Sequence, residues 1–153
     1  MSNKIKACIT TEPINVEEAL AFVSQPDYGA INLFTGTVRN LHDNREVTGI
    51  TYDGHSNIAA KTLQTIADEA SHKWPDITVF LSHFIGELAT GEISVIIAIG
   101  SPHREASFAA CRYIIEQIKI RAPIWKQEHY LDGVSEWLPG HSLNQPDLPS
   151  HLG

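Results

Sequence analysis

Two stretches of the chain are almost unbroken in apolar residues: ITVFLSHFIG at 77–86 and EISVIIAIG at 92–100. A strand wetted on one face alternates apolar and polar residues, whereas a strand covered on both faces does not. The two stretches therefore predict central strands, with ELATG between them as a short turn that includes Glu87. Helical spacing marks two longer segments. In 56–74, Ile58, Leu63, Ile66, Ala67, Ala70 and Trp74 fall near one face, and Pro75 stops the run. In 101–122, Ala106, Ala110, Tyr113, Ile114, Gln117 and Ile118 line one side. Ser101 is the expected N-cap of that helix and Pro102 its first residue, where proline is favoured. Pro123 disfavours helical geometry at Ala122 and ends it.

The remaining pattern is finer. Asn15 followed by Glu18 predicts the capped start of a short helix over 15–25. A short edge strand opens 4–14. Strands are expected at 28–40 and 47–54, separated by the polar loop LHDNRE, with Gly36 marking a bulge or a close backbone approach. Segments 124–131 and 134–138 predict a hairpin around Asp132-Gly133. Strands and helices mix without strict βαβ alternation, so the class is α+β. With 153 residues the chain suits one domain, residues 1–138. The tail at 139–153, rich in Pro, Ser and Asn, is expected to be extended or mobile.

Charge narrows the possible chemistry. The formal net charge is −7, which argues against general nucleic-acid binding, because that needs a broad basic face. The longest apolar run is too short to span a bilayer, and MSNKIKACITTEPI has no signal-peptide core, so a cytoplasmic protein without membrane contact is expected. Two cysteines, Cys8 and Cys111, read as free thiols, and the eight histidines do not fall in metal-ligand pairs. Neither a metal nor an organic cofactor is called for. No GxSxG, P-loop, GxGxxG or HExxH motif occurs.

Against that acidic background, IKIRAPIWKQE (118–128) gathers Lys119, Arg121 and Lys126 around a proline and a tryptophan. Cations at a helix end are favoured by the dipole, which accounts for Lys119 and Arg121 without any ligand. Lys126 lies on a predicted strand, and two neighbouring lysines would lower each other's proton affinity, a state suited to acid–base or covalent chemistry. His103 and Arg104 open the same helix, where positive side chains are unfavourable unless an anion is bound; solvated side chains are the alternative. Arg39 ends the strand FTGTVRN and has the fork geometry for a phosphate. Tyr52, Asp53 and His55 read as a turn.

The ordered set FTGTVRN, HFIGELATGE, SPHREASFAACRYIIEQIK and RAPIWKQE resembles the catalytic large subunit of molybdopterin synthase, from about Gly29 to Trp137. The resemblance implies an α+β fold with a hammerhead-like mixed or antiparallel sheet packed with helices. It implies a homodimer of large subunits, each bound to a small ubiquitin-like subunit with a C-terminal thiocarboxylate, in a heterotetramer. It implies transfer of sulfur to cyclic pyranopterin monophosphate, forming the dithiolene of molybdopterin in molybdenum cofactor biosynthesis. Carried over residue by residue, Lys119 and Lys126 are catalytic. Arg39, His103, Arg104, Thr37, Val38, Gln127 and Glu128 bind substrate.

The departures are Thr37 and Gln127, where family members often carry basic residues, and YDGHSNIAA in place of a segment like YEAYxxMA. They thin the positive rim. They leave room for a non-catalytic homologue that docks a ubiquitin-like tail or a phosphate ligand. An unrelated acid–base isomerase acting on a phosphate compound would need a base near the anion site, and only His103 offers one.

Overall fold

The computed structural model describes residues 4–138; the tail at 139–153 lies outside the described residues. In chain order the elements are β1 (Ile5–Thr10), α1 (Val16–Val23), β2 (Ala30–Thr37), β3 (Leu41–His42), β4 (Arg45–Gly54), α2 (Ser56–Lys73), β5 (Thr78–Phe84), β6 (Gly86–Ala89), β7 (Ile93–Ser101), α3 (Arg104–Arg121), β8 (Ile124–Tyr130) and β9 (Ser135–Trp137). The class is α+β.

The first sheet runs β1-β5-β7-β2, with β1 parallel to β5 and the other pairs antiparallel. Its two central strands are the apolar runs, and alternation divides their side chains between two cores. Val79, Leu81, Val95, Ile97 and Ile99 pack against Leu63 and Ile66 of α2 and Ala110, Ile114 and Ile118 of α3. Phe80, Ile96 and Ala98 face the other way, against Ala19 and Val23 of α1. Both faces are thus covered, which is why no polar alternation is visible in the sequence. Asn15 caps α1 as expected, its side chain accepting from the Glu18 N–H at 3.2 Å.

The second sheet joins β3, β4, β8 and β9, with β6 paired on β4. It encloses a smaller core of Val38, Val47, Ile50, Phe84, Leu88 and Tyr130. β8 and β9 form the predicted hairpin, turning at Gly133 with φ +89°.

Three local expectations are corrected. ELATG is not simply a turn. The chain leaves the first sheet after Phe84, swings through Gly86 at φ +134°, and enters the second sheet as β6, where Glu87 pairs with Thr51. The available edge of β4 recruits a segment too short and polar to announce itself. The reversal follows at Gly91, φ +87°, where the Glu92 carboxylate accepts from the Ala89 N–H at 2.7 Å.

The loop LHDNRE is a tight hairpin between β3 and β4, with Asp43 and Asn44 both at positive φ, the two-residue geometry that matches strand twist. Finally, β7 runs on through Ser101, which is held in register with Ala30, so Ser101 does not cap α3. The N-cap is His103, in extended geometry and without a side-chain capping bond, and the helix starts at Arg104.

Candidate active site

The break at Pro123 builds the site. α3 ends at Arg121, Ala122 turns extended, and β8 begins at Ile124. Lys119 in the last helical turn and Lys126 in the new strand therefore fold back on one cavity. Arg39 and Thr37 reach it from the end of β2, Tyr52 from β4, His83 from β5 and Glu128 from β8. Arg39 is rooted by its neighbour: the buried Val38 donates its N–H to the Glu92 carbonyl at 3.0 Å and accepts from the Gly91 N–H at 2.7 Å.

Alternation along β8 sorts its side chains. Lys126, Glu128 and Tyr130 are buried, while Gln127 and His129 project to the opposite face. Gln127 is thus not among the groups lining the cavity. Lys126 stands opposite Tyr52 in the ladder, and its carbonyl accepts from the Leu138 N–H at 2.9 Å. Glu128 accepts from the Tyr130 hydroxyl at 2.7 Å and meets His42 Nδ1 at 2.5 Å. Outside this cluster, the Arg45 guanidinium lies 3.5 Å from the Tyr130 ring centre. A buried carboxylate with these partners is held in one rotamer beside the lysines.

The electrostatics follow from crowding. Burial lowers the Lys119 pKa to about 8, with Lys126 and then Arg39 adding to the effect. Burial also brings Lys126 down to about 8; Glu128 opposes that fall and Arg39 adds to it. Each lysine is still mainly an ammonium at neutral pH, yet each can release its proton far more readily than a solvated lysine. Desolvated cations of this kind suit an anionic substrate and a reaction in which charge develops.

The other cation of the motif has a different role. Arg121 is two residues from Lys119 and so lies on another side of the helix. It grips the Glu69 carboxylate with two bonds, 2.7 and 3.0 Å, and Tyr113 donates to the same group at 2.8 Å. Arg121, then Tyr113, hold the Glu69 carboxyl down to about 2. This is a clasp between α2 and α3. Trp125 lines the cavity, and its ring meets His55 edge-on at 5.6 Å.

His103 and Arg104 are not part of this cavity. They sit exposed at the opposite end of α3, roughly 22 Å from Lys119 at 1.5 Å per residue. Arg104 borders a shallow cleft with Phe108 and Arg112. Sequence reasoning missed two titratable lining groups. Tyr52, read as part of a turn, is a half-buried strand residue, its pKa raised chiefly by burial. His83 passed unremarked, although a histidine inside an otherwise apolar run is itself a signal.

Comparison with known proteins places this geometry. The family described as MoaE protein matches residues 9–121. The molybdopterin synthase catalytic subunit of Nostoc is 41% identical over 131 residues, 85% of this chain and 79% of that protein. The crystal structure of molybdopterin synthase from Staphylococcus aureus superposes with a TM-score of 0.83 at 38% identity, covering 87% of this chain and 96% of the other. A complex of subunits 1 and 2 of the molybdopterin-converting factor from Helicobacter pylori shares the fold, with a TM-score of 0.67 at 22% identity over 88% of this chain and 90% of that one. The chain belongs to the MoaE family, whose curated relatives are molybdopterin synthase catalytic subunits.

Proposed function

We propose that this protein is the catalytic subunit of a molybdopterin synthase. It moves sulfur from the thiocarboxylated C-terminus of a small ubiquitin-like subunit to cyclic pyranopterin monophosphate. The observation that carries the reading is the convergence of Lys119, Lys126 and Arg39 on one cavity beside buried Glu128. The cavity is cationic in a chain of net charge −7, and both the cyclic phosphate and the thiocarboxylate are anions.

In this reading the thiocarboxylate sulfur forms a C–S bond at a carbon of the pterin side chain as the C–O bond from that carbon to the cyclic phosphate breaks, the oxygen staying on the phosphate as the ring opens to a monoester. Water then cleaves the acyl–sulfur bond and leaves the small subunit as a carboxylate. A second small subunit delivers its sulfur to the neighbouring oxygen-bearing carbon, whose oxygen leaves as water, to complete the dithiolene. Lys119, as its ammonium, stabilises the charge that develops as sulfur attacks. Lys126 orients substrate and sets the field at Lys119, while Glu128 fixes Lys126. Arg39, with Thr37 and Val38 as its support, takes the phosphate. The catalytic unit is the domain at 1–138. Among the described residues no helix is long and apolar enough to cross a membrane, and we place the reaction in the cytoplasm.

His103 and Arg104 join this site only if a second copy delivers them, because one chain holds them at the wrong end of α3. A homodimer accommodates this. Edge strand β2 exposes Ile31 and Leu33, α3 exposes Phe108, and the two elements start side by side through the bond from the Gly29 N–H to the Pro102 carbonyl. Of the departures that leave room for the docking-only reading, Gln127 projects to the face of β8 opposite Lys126 and Glu128, whereas Thr37 and Tyr52 of the YDGHS segment line the cavity.

The test mixes the protein with thiocarboxylated small subunit and cyclic pyranopterin monophosphate and follows molybdopterin. Lys119→Ala should lose about a hundredfold or more in turnover with the fold intact. Near wild-type turnover in that variant removes the assigned role. No product from the wild type, with the small subunit still bound, selects the docking module.

A further inference from the structure

His83 follows Val79 and Leu81 on the face of β5 that α3 covers, where the row of buried apolar side chains runs out beneath the last turns of the helix. It is buried, it lines the same cavity as Lys119, and the Tyr52 ring meets it edge-on at 5.1 Å between centres. Its Nδ1 lies 2.8 Å from the Phe84 carbonyl oxygen. A carbonyl can only accept, so Nδ1 carries the hydrogen. Burial, with the Lys119 charge adding to it, lowers the pKa to about 4, so at neutral pH the ring is uncharged and Nε2 is a bare acceptor. A residue present only for packing at this position has no use for that lone pair, whereas the cations of this cavity are all donors.

We propose that His83 is a positioning residue for Lys119: with Nδ1–H anchored on the Phe84 carbonyl, Nε2 accepts a hydrogen bond from the Lys119 ammonium and aims it into the cavity. The role rests on the reading of Lys119 as catalytic. An acceptor bond favours the charged form of the amine and so offsets part of what burial takes away. The other ionisable groups facing Lys119 are Lys126 and Glu128 from β8, Arg39 after β2 and Tyr52 from β4. From α2, Glu69 is engaged by Arg121 on another side of the helix.

The test uses two variants that divide the imidazole. In His83→Asn the amide nitrogen takes the place of Nδ1 and keeps the carbonyl bond, but nothing replaces Nε2. In His83→Gln the longer amide places an acceptor oxygen at the reach of Nε2. The protein is labelled with 13Cε-lysine and titrated by NMR between about pH 6 and 11 without substrate or small subunit. The Lys119 resonance is the one lost in Lys119→Arg. Lys119 should titrate about one pH unit lower in His83→Asn and close to wild type in His83→Gln. Equal titration in all three proteins, or the same fall in both variants, overturns the proposal. Should the Asn variant not fold, His83→Phe keeps the ring contact with Tyr52 and lacks the acceptor. The titration needs no sulfur transfer, so it stands or fails separately from the proposed reaction.

Discussion

Lys119 and Lys126 make the protein less stable than it would otherwise be. A lysine with a folded pKa near 8 and an unfolded value near 10.5 binds fewer protons when folded. Stability contributed by such a group therefore rises with pH across that window, and the penalty is fully present below 8. Lys119→Met removes the charge while keeping the apolar stem. It should raise unfolding free energy at pH 7 by roughly 1–3 kcal/mol, screened where the cavity meets solvent. The gain should vanish above about pH 10.5, where the amine is neutral in both states. Urea melts of both proteins at pH 7 and pH 11 give the comparison. A variant that loses activity and gains stability marks a strained functional group. If the Lys119 ammonium is the working form, turnover should fall as pH rises through about 8.

At the scale of elements, Gly36 is the small residue on which the site's geometry depends. The β2–β7 register slips between Gly36 and Thr37, and a Cβ on Gly36 would stand 2.7 Å from Val95 Cγ1. Val95 and Thr37 both line the cavity, and Arg39 follows two residues on. Gly36→Ala should cost about 1–3 kcal/mol in a denaturant melt. It should also weaken substrate binding more than it slows turnover, a split read from KM and kcat.

This slip was legible in the sequence, because a glycine inside a β-rich run marks a bulge or a close backbone approach. So were the two apolar strands, the cap at Asn15 and the Pro123 break that folds Lys126 back over Lys119. The strand β6 was not legible, because GELA carries no periodicity and is ordered only by the edge of β4. The start of α3 was misplaced because Ser101 and Pro102 satisfy every local rule for a cap, while pairing with Ala30 holds Ser101 in a strand. Tyr52 was hidden by an Asp-Gly pair that resembles a turn, and the clasp of Arg121 on Glu69 by the distance between the two residues in sequence.

For the whole molecule, the distance between the two ends of α3 decides how many chains make one site. If Arg104 serves a neighbour's cavity, Lys119→Ala and Arg104→Ala damage different halves of the same composite site. Mixing the two inactive proteins under conditions that exchange subunits should restore activity neither has alone. Statistical reassortment gives up to about one quarter of the wild-type rate, because half the dimers are mixed and each holds one intact site. No recovery, with exchange verified by mass, would place both residues in one chain's work. The cavity holds Arg39, Lys119 and Lys126 against one carboxylate, Glu128, while the chain totals −7, so salt should alter encounter with an anionic partner more than chemistry within the cavity.

The lowered proton affinity of Lys119 and Lys126 also makes them targets for covalent reagents. At mildly alkaline pH they offer free amine, so a small aldehyde or activated ester that enters the cavity meets two uncharged nucleophiles there. That gives an inhibitor designer an amine-directed warhead site inside the cavity itself.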